Sequence, residues 1–502
     1  MFSIFVATNI MIKTKMKRLI ISLAFLGIIF GNIQSQTVKR ASIPLEHGAH
    51  RIGPRTDATM QKWREYGLGQ FIHWGVYAIP GGHWNGQTYR GAAEWIRSWS
   101  GMPNSDYDNL YKQFNPKNFN AKQWARLAKE MGAKYLIITT KHHDGFCLWP
   151  SKYTDYTITN TPYKKDIIKE LVDTYNAEGI DVTLYFSIID WNHKGYRSSP
   201  PKTDEEKILY EEFKQFTRNQ LIELLQNYPT VNGLWFDGTW DQAWVQQAPW
   251  VDELEKELRA LHPGVIIGSR FRADDYGKRH YDSNGDLIGD YDQTWERNMP
   301  ETIEELNGVD WDCVMTIPEN QWGYHSDWSL TYIKKPYELI EMMVKSVSLN
   351  GNFVLNFGPD GMGNIRPEET QIAKEIGAWM KVNSEVIYGC KNSLWEKQSW
   401  GYYTQKGDNK LYLTVFNQPL NNKVRIKIPK CKDDKKIMIV EKAYFLADKK
   451  TATVKNAGRD KYGNIYYDIE STAVNVTSPY VIVLEVREVD KDEKDNYQQA
   501  II

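Results

Sequence analysis

The stretch KYLIITTK, residues 134–141, is a continuous run of apolar and β-branched residues between two lysines. Such a run is typical of a strand buried on both faces, as strands are in parallel sheets covered by helices. Comparable runs occur on both sides of it, in GQFIHWG (69–75), VTLYFS (182–187) and GLWFD (233–237). The stretch therefore predicts an α/β fold with a parallel sheet.

Amphipathic helices are predicted between these strands. One spans residues 124–131, follows Asn120 as its N-cap and stops at Gly132, a residue type that commonly ends helices. Further helices are predicted at 166–178, 205–228, 252–261 and 336–349, and further strands at 265–270, 311–317 and 353–357. The repeated β–α order, without a GxGxxG opening, favours a closed (β/α)8-like TIM barrel over a doubly wound sheet. The unit near residues 286–292 has no clear pattern.

The pattern changes after Ser384. Short alternating segments at 410–416, 423–428, 436–444, 465–469 and 480–486 follow one another without helices, which predicts a C-terminal antiparallel β-sandwich. The charged end of the chain from Glu488 is expected to be a solvated tail. The predicted organisation is a signal segment at 1–36, a catalytic barrel at 37–388 and a sandwich at 389–502.

The N-terminus predicts export to the periplasm or the extracellular space. Basic residues between 13 and 18 precede a short apolar run at 19–30, and small and polar residues suited to cleavage follow. The apolar run is short for a bilayer span, although an uncleaved anchor is the competing interpretation. The first fifteen residues fit an upstream start of translation. No membrane contact is expected after cleavage.

Composition narrows the partners and the covalent chemistry. With 62 basic and 63 acidic side chains, the chain lacks the basic excess that nucleic-acid or anionic-membrane partners usually require. The four cysteines are too few for a disulfide framework in a chain of 502 residues. Cys390 and Cys431 could pair, or they could be free thiols. No cysteine spacing is typical of a zinc site.

Polar side chains follow the predicted strands at the end where barrels of this type carry their active sites. Asp237 is notable because it ends an apolar strand, where an unpaired charge is expensive to bury. It could be simply ion-paired with Arg270, or it could be a nucleophilic carboxylate that Arg270 keeps ionised. The converging strand-end residues are His73, His142, His143, Tyr185, Asp237 and Arg270.

Three histidines beside an acid could also form a metal site. His142 and His143 are adjacent, however, and adjacent strand residues point to opposite faces of a sheet. We therefore expect no metal and no other cofactor.

Taken together, several motifs resemble the α-L-fucosidases of glycoside hydrolase family 29. They are FIHWGVY, the Glu94-Trp95 pair, KHHDGF, LWFDG, GDYDQTWE, QWGY and NFVLNFGPDGMGNI, in the family's order over residues 73–365. The resemblance implies a barrel with a C-terminal β-sandwich and hydrolysis of terminal fucosyl bonds in fucosylated oligosaccharides or glycoconjugates. It implies that Asp237 is the nucleophile and that the sugar is held by His73, Glu94, Trp95, His142, His143, Tyr185, Arg270 and Trp322.

The acid/base residue has three candidates. The family's DYxTPE-like segment corresponds here to residues 290–296, in which Trp295 replaces the proline and Glu296 keeps the acid. Other members carry an acid in a later WExC-like segment, where this chain has Asp312. Asp292 is the third candidate, and Glu296 is preferred because a glutamate on a loop reaches a leaving oxygen more readily. The alternative functions are an α-L-galactosidase on the same scaffold and a non-catalytic carbohydrate-binding protein. Linkage preference and oligomeric state are not encoded in these motifs.

Overall fold

The structure is a computed structural model that describes residues 54–471 and 478–493. The predicted signal segment lies outside these residues, as does the chain beyond residue 493. Among the described residues, no helix has the length and apolar composition needed to cross a membrane. The described part contains a parallel sheet with helices around it, followed by two antiparallel sheets.

The parallel sheet is the core of the fold. Its strands are β1 (Leu68–Ile72), β2 (Tyr135–Lys141), β3 (Asp181–Ser187), β4 (Gly233–Asp237), β5 (Ile266–Ile267), β6 (Trp311–Thr316) and β7 (Gly351–Phe357). Their spatial order is β5-β4-β3-β2-β1-β7-β6, and every pairing is parallel. All residues of β1, β2, β6 and β7 are buried, which confirms the interpretation of KYLIITTK as a strand covered on both faces.

Seven helices of seven or more residues accompany this sheet in the described region. They are α1 (Ala58–Arg64), α2 (Ala121–Met131), α3 (Ile167–Ala177), α4 (Asp204–Asn227), α5 (Ala248–Leu261), α6 (Pro336–Ser348) and α7 (Pro367–Asn383). The predicted caps of α2 are confirmed, since the Asn120 side chain accepts the Gln123 N–H and Gly132 adopts φ 98°, although the helix begins at Ala121 and not at residue 124. Both α1 and α7 were missing from the sequence prediction.

An extended segment at residues 290–296 occupies the eighth position of the barrel. On one side the Asp290 N–H donates to the Ile267 carbonyl at 2.8 Å, and on the other the Arg297 N–H donates to the Val314 carbonyl at 2.9 Å. The Asp292 N–H also donates to the Asp310 carbonyl at 2.7 Å. The predicted (β/α)8-like architecture is confirmed, with seven regular strands and one irregular segment that links β5 to β6.

The composition of this segment explains why its sequence has no clear strand pattern. Asp290 is buried and accepts hydrogen bonds from Arg55 at 2.8 Å and from Arg259 at 3.1 Å. A strand that carries a buried, ion-paired carboxylate lacks the apolar run that identifies its neighbours. The predicted strand at 265–270 is likewise only two residues long, since the chain leaves the regular ladder after Ile267.

The C-terminal strands form two packed antiparallel sheets. They are β8 (Gly401–Lys406), β9 (Lys410–Val415), β10 (Lys423–Ile428), β11 (Lys436–Phe445), β12 (Val454–Arg459), β13 (Ile465–Glu470) and β14 (Tyr480–Asp490). The sheet orders are β8-β9-β14-β11 and β10-β13-β12. Apolar side chains from both sheets share one core, among them Leu413, Val424, Ile469 and Ile482. The β-sandwich is confirmed; β8 and β12 were not predicted, and β14 continues past Glu488, where a loose tail was expected.

The four cysteines are free thiols. Cys390, which is buried, and Cys431, which is partly exposed, are both among them, so the pairing considered from the sequence is not formed.

Candidate active site

The carboxyl ends of the barrel strands surround a cavity of about 100 Å³. It contains most of the side chains that the sequence proposed, together with three aromatic residues that it did not. The lining consists of Phe71, His73, Glu94, Trp95, His142, His143, Trp235, Asp237, Trp240, Glu296 and Trp322. Tyr185 and Arg270, the remaining predicted residues, contact Asp237. The structure therefore brings the proposed side chains to one site.

Asp237 is held by two donors at the end of β4. The Tyr185 hydroxyl donates to Oδ2 at 2.9 Å, and Arg270 Nη1 donates to Oδ1 at 3.2 Å. Gly238 follows with φ 70°, and a Cβ at that position would lie 2.8 Å from the backbone nitrogen of Ile189. The turn after Asp237 therefore requires glycine, and the carboxylate is fixed at the rim with 15% of its side chain exposed.

Arg270 connects two carboxylates. Besides Asp237, it binds Glu296, with Nη2 at 2.5 Å from Oε2. The guanidinium lies over the Trp235 ring at 4.8 Å, and its Nε donates to the Gln293 carbonyl at 3.1 Å. The two anionic partners raise the pKa of the buried Arg270, although its burial opposes them. The ion pair considered from the sequence is thus present, and it includes a second acid.

Glu296 is the candidate acid/base residue that reaches the cavity. Asp312, the second residue of β6, lies toward the opposite end of its strand, is 1% exposed, and has its pKa raised well above the usual range by burial. Asp292 is also buried and accepts hydrogen bonds from the Tyr281 hydroxyl and the Thr294 N–H. Neither lines the cavity, whereas 29% of the Glu296 side chain is exposed there.

His142 and His143 both face the cavity, so the expectation that they point to opposite sides is wrong. Strand β2 ends at Lys141 and the chain turns immediately, which brings the two rings to 4.2 Å. Possible ligand atoms of these histidines and Asp237 lie within 4.8 Å of one another. The guanidinium of Arg270, 3.2 Å from Asp237, places a positive charge there that repels a divalent cation.

Two buried side chains orient the histidines, and neither was singled out in the sequence. The Nδ1 atom of His73 lies 2.7 Å from Oδ1 of Asn356, and that of His143 lies 2.6 Å from Oγ of Ser187. Burial lowers the pKa of both histidines to about 3, so both rings are neutral at neutral pH. Asn356 lies within the NFVLNFGP motif, and its place in that motif is the feature of the sequence that could have pointed to it.

Glu94 reaches the cavity from a short 3-10 helix, Ala93–Trp95, in the connection between β1 and β2. Its Oε2 accepts the Gly323 N–H at 2.9 Å, and Oε1 has no protein partner among the described residues. Burial raises the pKa of Glu94 to about 7. The Trp322 ring lies 5.0 Å from the His73 ring, which places an aromatic wall beside the polar groups.

A larger cleft in the C-terminal sheets, about 670 Å³, lacks such a grouping of acidic, imidazole and aromatic side chains. Its acidic side chains are paired with basic ones: Glu485 with Lys442 at 2.9 Å, and Glu441 with Arg487 at 2.7 Å. The cavity at the barrel mouth instead combines two carboxylates on one guanidinium with neutral imidazoles and indole faces. That combination defines a glycoside hydrolase, because it can supply a nucleophile, a proton donor and a surface for a sugar ring.

Comparisons with known proteins give the family. The family model for α-L-fucosidase matches residues 49–385. A family 29 α-L-fucosidase from Bacteroides thetaiotaomicron, solved as a trapped covalent intermediate with 2-fluoro-fucosyl fluoride, is 50% identical, with a TM-score of 0.83; the match covers 89% of this chain and 100% of that one. α-L-Fucosidase isoenzyme 1 from Paenibacillus thiaminolyticus is 32% identical, with a TM-score of 0.71, over 86% and 99% of the two chains. The plasma α-L-fucosidase of Homo sapiens is 29% identical over 401 residues, 74% of this chain and 79% of the human protein. The chain belongs to the α-L-fucosidase family of glycoside hydrolases.

Proposed function

We propose that the protein is an exo-acting, retaining α-L-fucosidase that releases terminal L-fucose from fucosylated glycans by double displacement. The observation that carries the proposal is the pair Asp237 and Glu296, which bind separate nitrogens of Arg270 inside one cavity. Retaining hydrolysis requires two close carboxyl groups, about 5–5.5 Å apart, one as nucleophile and one as acid/base. The trapped intermediate of the Bacteroides relative supports the same reaction course.

In the first step, Asp237 attacks the anomeric carbon while Glu296 gives its proton to the departing oxygen. In the second step, Glu296 takes a proton from water, and that water releases fucose from the Asp237 ester. Arg270 contacts both acids, so the guanidinium faces the Asp237 carboxylate before the first step and the Glu296 carboxylate after the proton transfer. The site thereby avoids an unpaired buried charge in either half of the reaction.

The cavity lining fits one sugar unit. Neutral imidazoles and the Glu94 carboxyl offer hydrogen-bond partners for hydroxyl groups, and the Trp322 ring offers an apolar face for the C–H side and methyl group. The small cavity volume favours a terminal residue over an internal one. The residues proposed to hold the sugar are His73, Glu94, Trp95, His142, His143, Tyr185, Arg270 and Trp322.

The nucleophile is tested with Asp237→Gly. Turnover of an aryl α-L-fucoside should be abolished, and azide should restore product as a fucosyl azide by filling the space left by the carboxylate. The wild-type enzyme with azide is the control. Substantial activity of the variant without azide would remove Asp237 from this role.

The acid/base residue is tested with Glu296→Ala. The loss in kcat/KM should be large for leaving groups that need protonation and small for an activated aryl group. Equal losses on both substrates would contradict the assignment.

The sugar is tested with aryl α-L-fucoside and aryl α-L-galactoside side by side. A higher kcat/KM for the fucoside supports the proposal, and a preference for the galactoside would replace it with an α-L-galactosidase. Binding of fucose without turnover of any glycoside would indicate a carbohydrate-binding protein.

We further propose that the enzyme acts outside the cytoplasm, as the sequence between residues 13 and 36 suggests. N-terminal sequencing of the protein recovered from the periplasm or medium should find a start after residue 30. A cytoplasmic protein that retains its apolar segment would contradict this proposal.

A further inference from the structure

Asn356 is buried at the carboxyl end of β7, and each polar atom of its side-chain amide has one partner. Its Nδ2 donates to the Trp322 carbonyl at 2.7 Å, and its Oδ1 lies 2.7 Å from Nδ1 of His73. The orientation of the amide is fixed, because a carbonyl can only accept and the NH2 group must therefore face Trp322. Oδ1 then faces His73, so Nδ1 of His73 carries the hydrogen.

This assignment determines what His73 offers to a ligand. A neutral imidazole has one N–H and one lone pair, so protonation at Nδ1 leaves Nε2 as an acceptor. His143 follows the same rule by a different route. Ser187 Oγ donates to the Ile189 carbonyl at 2.8 Å and therefore accepts from Nδ1 of His143 at 2.6 Å. Both rings of this sugar-binding wall thus present an acceptor nitrogen.

We propose that Asn356 is a positioning residue that fixes the tautomer of His73 with the hydrogen on Nδ1 and Nε2 as the acceptor, and that holds the ring beside Trp322. The proposal rests on the proposed function, because it assigns His73 the lone pair that receives a hydroxyl hydrogen of the bound sugar. Asn356 contacts no substrate in this scheme; it acts through His73 and through the Trp322 backbone.

Neutrality of His73 matters because the transition state of glycoside hydrolysis carries positive charge on the sugar ring. An imidazolium in the wall would repel that charge. The titratable groups facing His73 are Glu296, His142, His143 and Tyr185. Burial is the largest influence and lowers the His73 pKa, and His143 lowers it further; the hydrogen bond to Asn356 and the charge of Glu296 raise it, but burial prevails. A carboxylate in place of the uncharged Asn356 amide would favour the imidazolium of His73 more strongly, because a nearby negative charge stabilises the charged form.

Asn356→Asp is the variant that separates orientation from protonation. The aspartate can still accept from Nδ1, but its charge favours the imidazolium, and it no longer donates to Trp322. The acid limb of the kcat/KM–pH profile on an aryl α-L-fucoside should move up by at least about one pH unit, because an opposite charge this close typically shifts a pKa by about 1–3 units. On the acid limb, kcat/KM relative to the wild type should therefore be at least about tenfold lower than the same ratio measured at high pH.

Asn352→Asp is the matched control on the same strand. Asn352 is also buried, accepts the Gly67 N–H at 2.8 Å and donates to the Trp63 carbonyl at 2.9 Å, but it lies at the other end of β7. It should lower Tm without moving the pH profile. The proposal would be overturned if the acid limb of Asn356→Asp lay at the same pH as that of the wild type, or if the acid limbs of both variants moved by the same amount.

A direct measurement covers the case in which Asn356→Asp does not fold. Long-range proton–nitrogen spectra of histidine-labelled wild-type protein, assigned with a His73→Gln sample, report which ring nitrogen of His73 carries hydrogen. Hydrogen on Nδ1 supports the proposal, and hydrogen on Nε2 overturns it. If the wild type does not cleave fucosides, the proposed function fails, and this spectrum still decides the tautomer separately.

Discussion

Replacing Glu94 with glutamine is expected to stabilise the protein at neutral pH while weakening its activity. Glu94 is 1% exposed, and burial raises its pKa to about 7 from 4.5. Below about pH 4.5 the carboxyl group is protonated in both the folded and the unfolded chain, so its ionisation does not change the free energy of unfolding there. Between about pH 4.5 and 7 only the unfolded chain loses the proton, and the folded state becomes progressively less stable. Above pH 7 the full penalty is present.

The magnitude follows from that pKa difference. At about 1.4 kcal/mol per pKa unit, the penalty is about 3 kcal/mol at pH 7.5. Glutamine cannot ionise, and its carbonyl can still accept the Gly323 N–H that Glu94 Oε2 accepts at 2.9 Å. For a chain of this size, removing the penalty raises Tm by about 3–5 °C. Because glutamine replaces one acceptor in the cavity with a donor, kcat/KM should fall about 10–100-fold.

The assay is calorimetric Tm of wild type and Glu94→Gln at pH 4.5 and 7.5, with kcat/KM on an aryl α-L-fucoside. Glu369→Gln is the matched control, because Glu369 is also buried, accepts the Gly358 N–H, and has its pKa raised to about 8 by burial, yet it does not line the cavity. It should gain Tm at pH 7.5 with unchanged kcat/KM. The reasoning is refuted if Glu94→Gln is less stable than wild type at pH 7.5, or if the Tm difference is the same at both pH values.

Two further substitutions test the charges around the cavity. Asp312→Asn should keep kcat/KM within about twofold and should not lower Tm at neutral pH, since it replaces a buried acid whose ionised form is disfavoured by burial. A hundredfold loss in kcat would instead make Asp312 the acid/base residue. Arg270→Met leaves the Asp237 and Glu296 carboxylates without their shared partner, so stability should fall by about 3–5 kcal/mol and kcat/KM by at least about 100-fold. Arg272→Met breaks a buried pair outside the cavity and should lower denaturant stability with little change in kcat, and equal activity losses in the two arginine variants would contradict the role of Arg270.

The regular strands and the helices between them could be predicted because each has a local signal. Strand β4 was predicted with its observed ends, and the N-cap of α2 was placed at Asn120. The segment at 290–296 could not be predicted as part of the barrel. Its pairing depends on Asp290, whose charge is compensated by Arg55 and Arg259 from distant parts of the chain.

The tertiary structure also decides among the acid/base candidates. Glu296, Asp292 and Asp312 are close in sequence, and composition gives each of them similar chemistry. The fold buries Asp292 and Asp312 and leaves Glu296 at the cavity beside Arg270. Residue spacing does not report which side of an irregular segment faces a cavity.

The sequence by itself determined the α/β class, the C-terminal sandwich and the polar strand ends such as Asp237, because apolar periodicity and residue type are local properties of the chain. Only the tertiary structure decided how those ends meet. It turned His142 and His143 to the same side, placed Arg270 between two carboxylates, and set Asn356 against His73. The first outcome depends on where strand β2 ends, and the other two depend on hydrogen bonds between different segments of the chain, whose directions are fixed when the barrel brings its strand ends together.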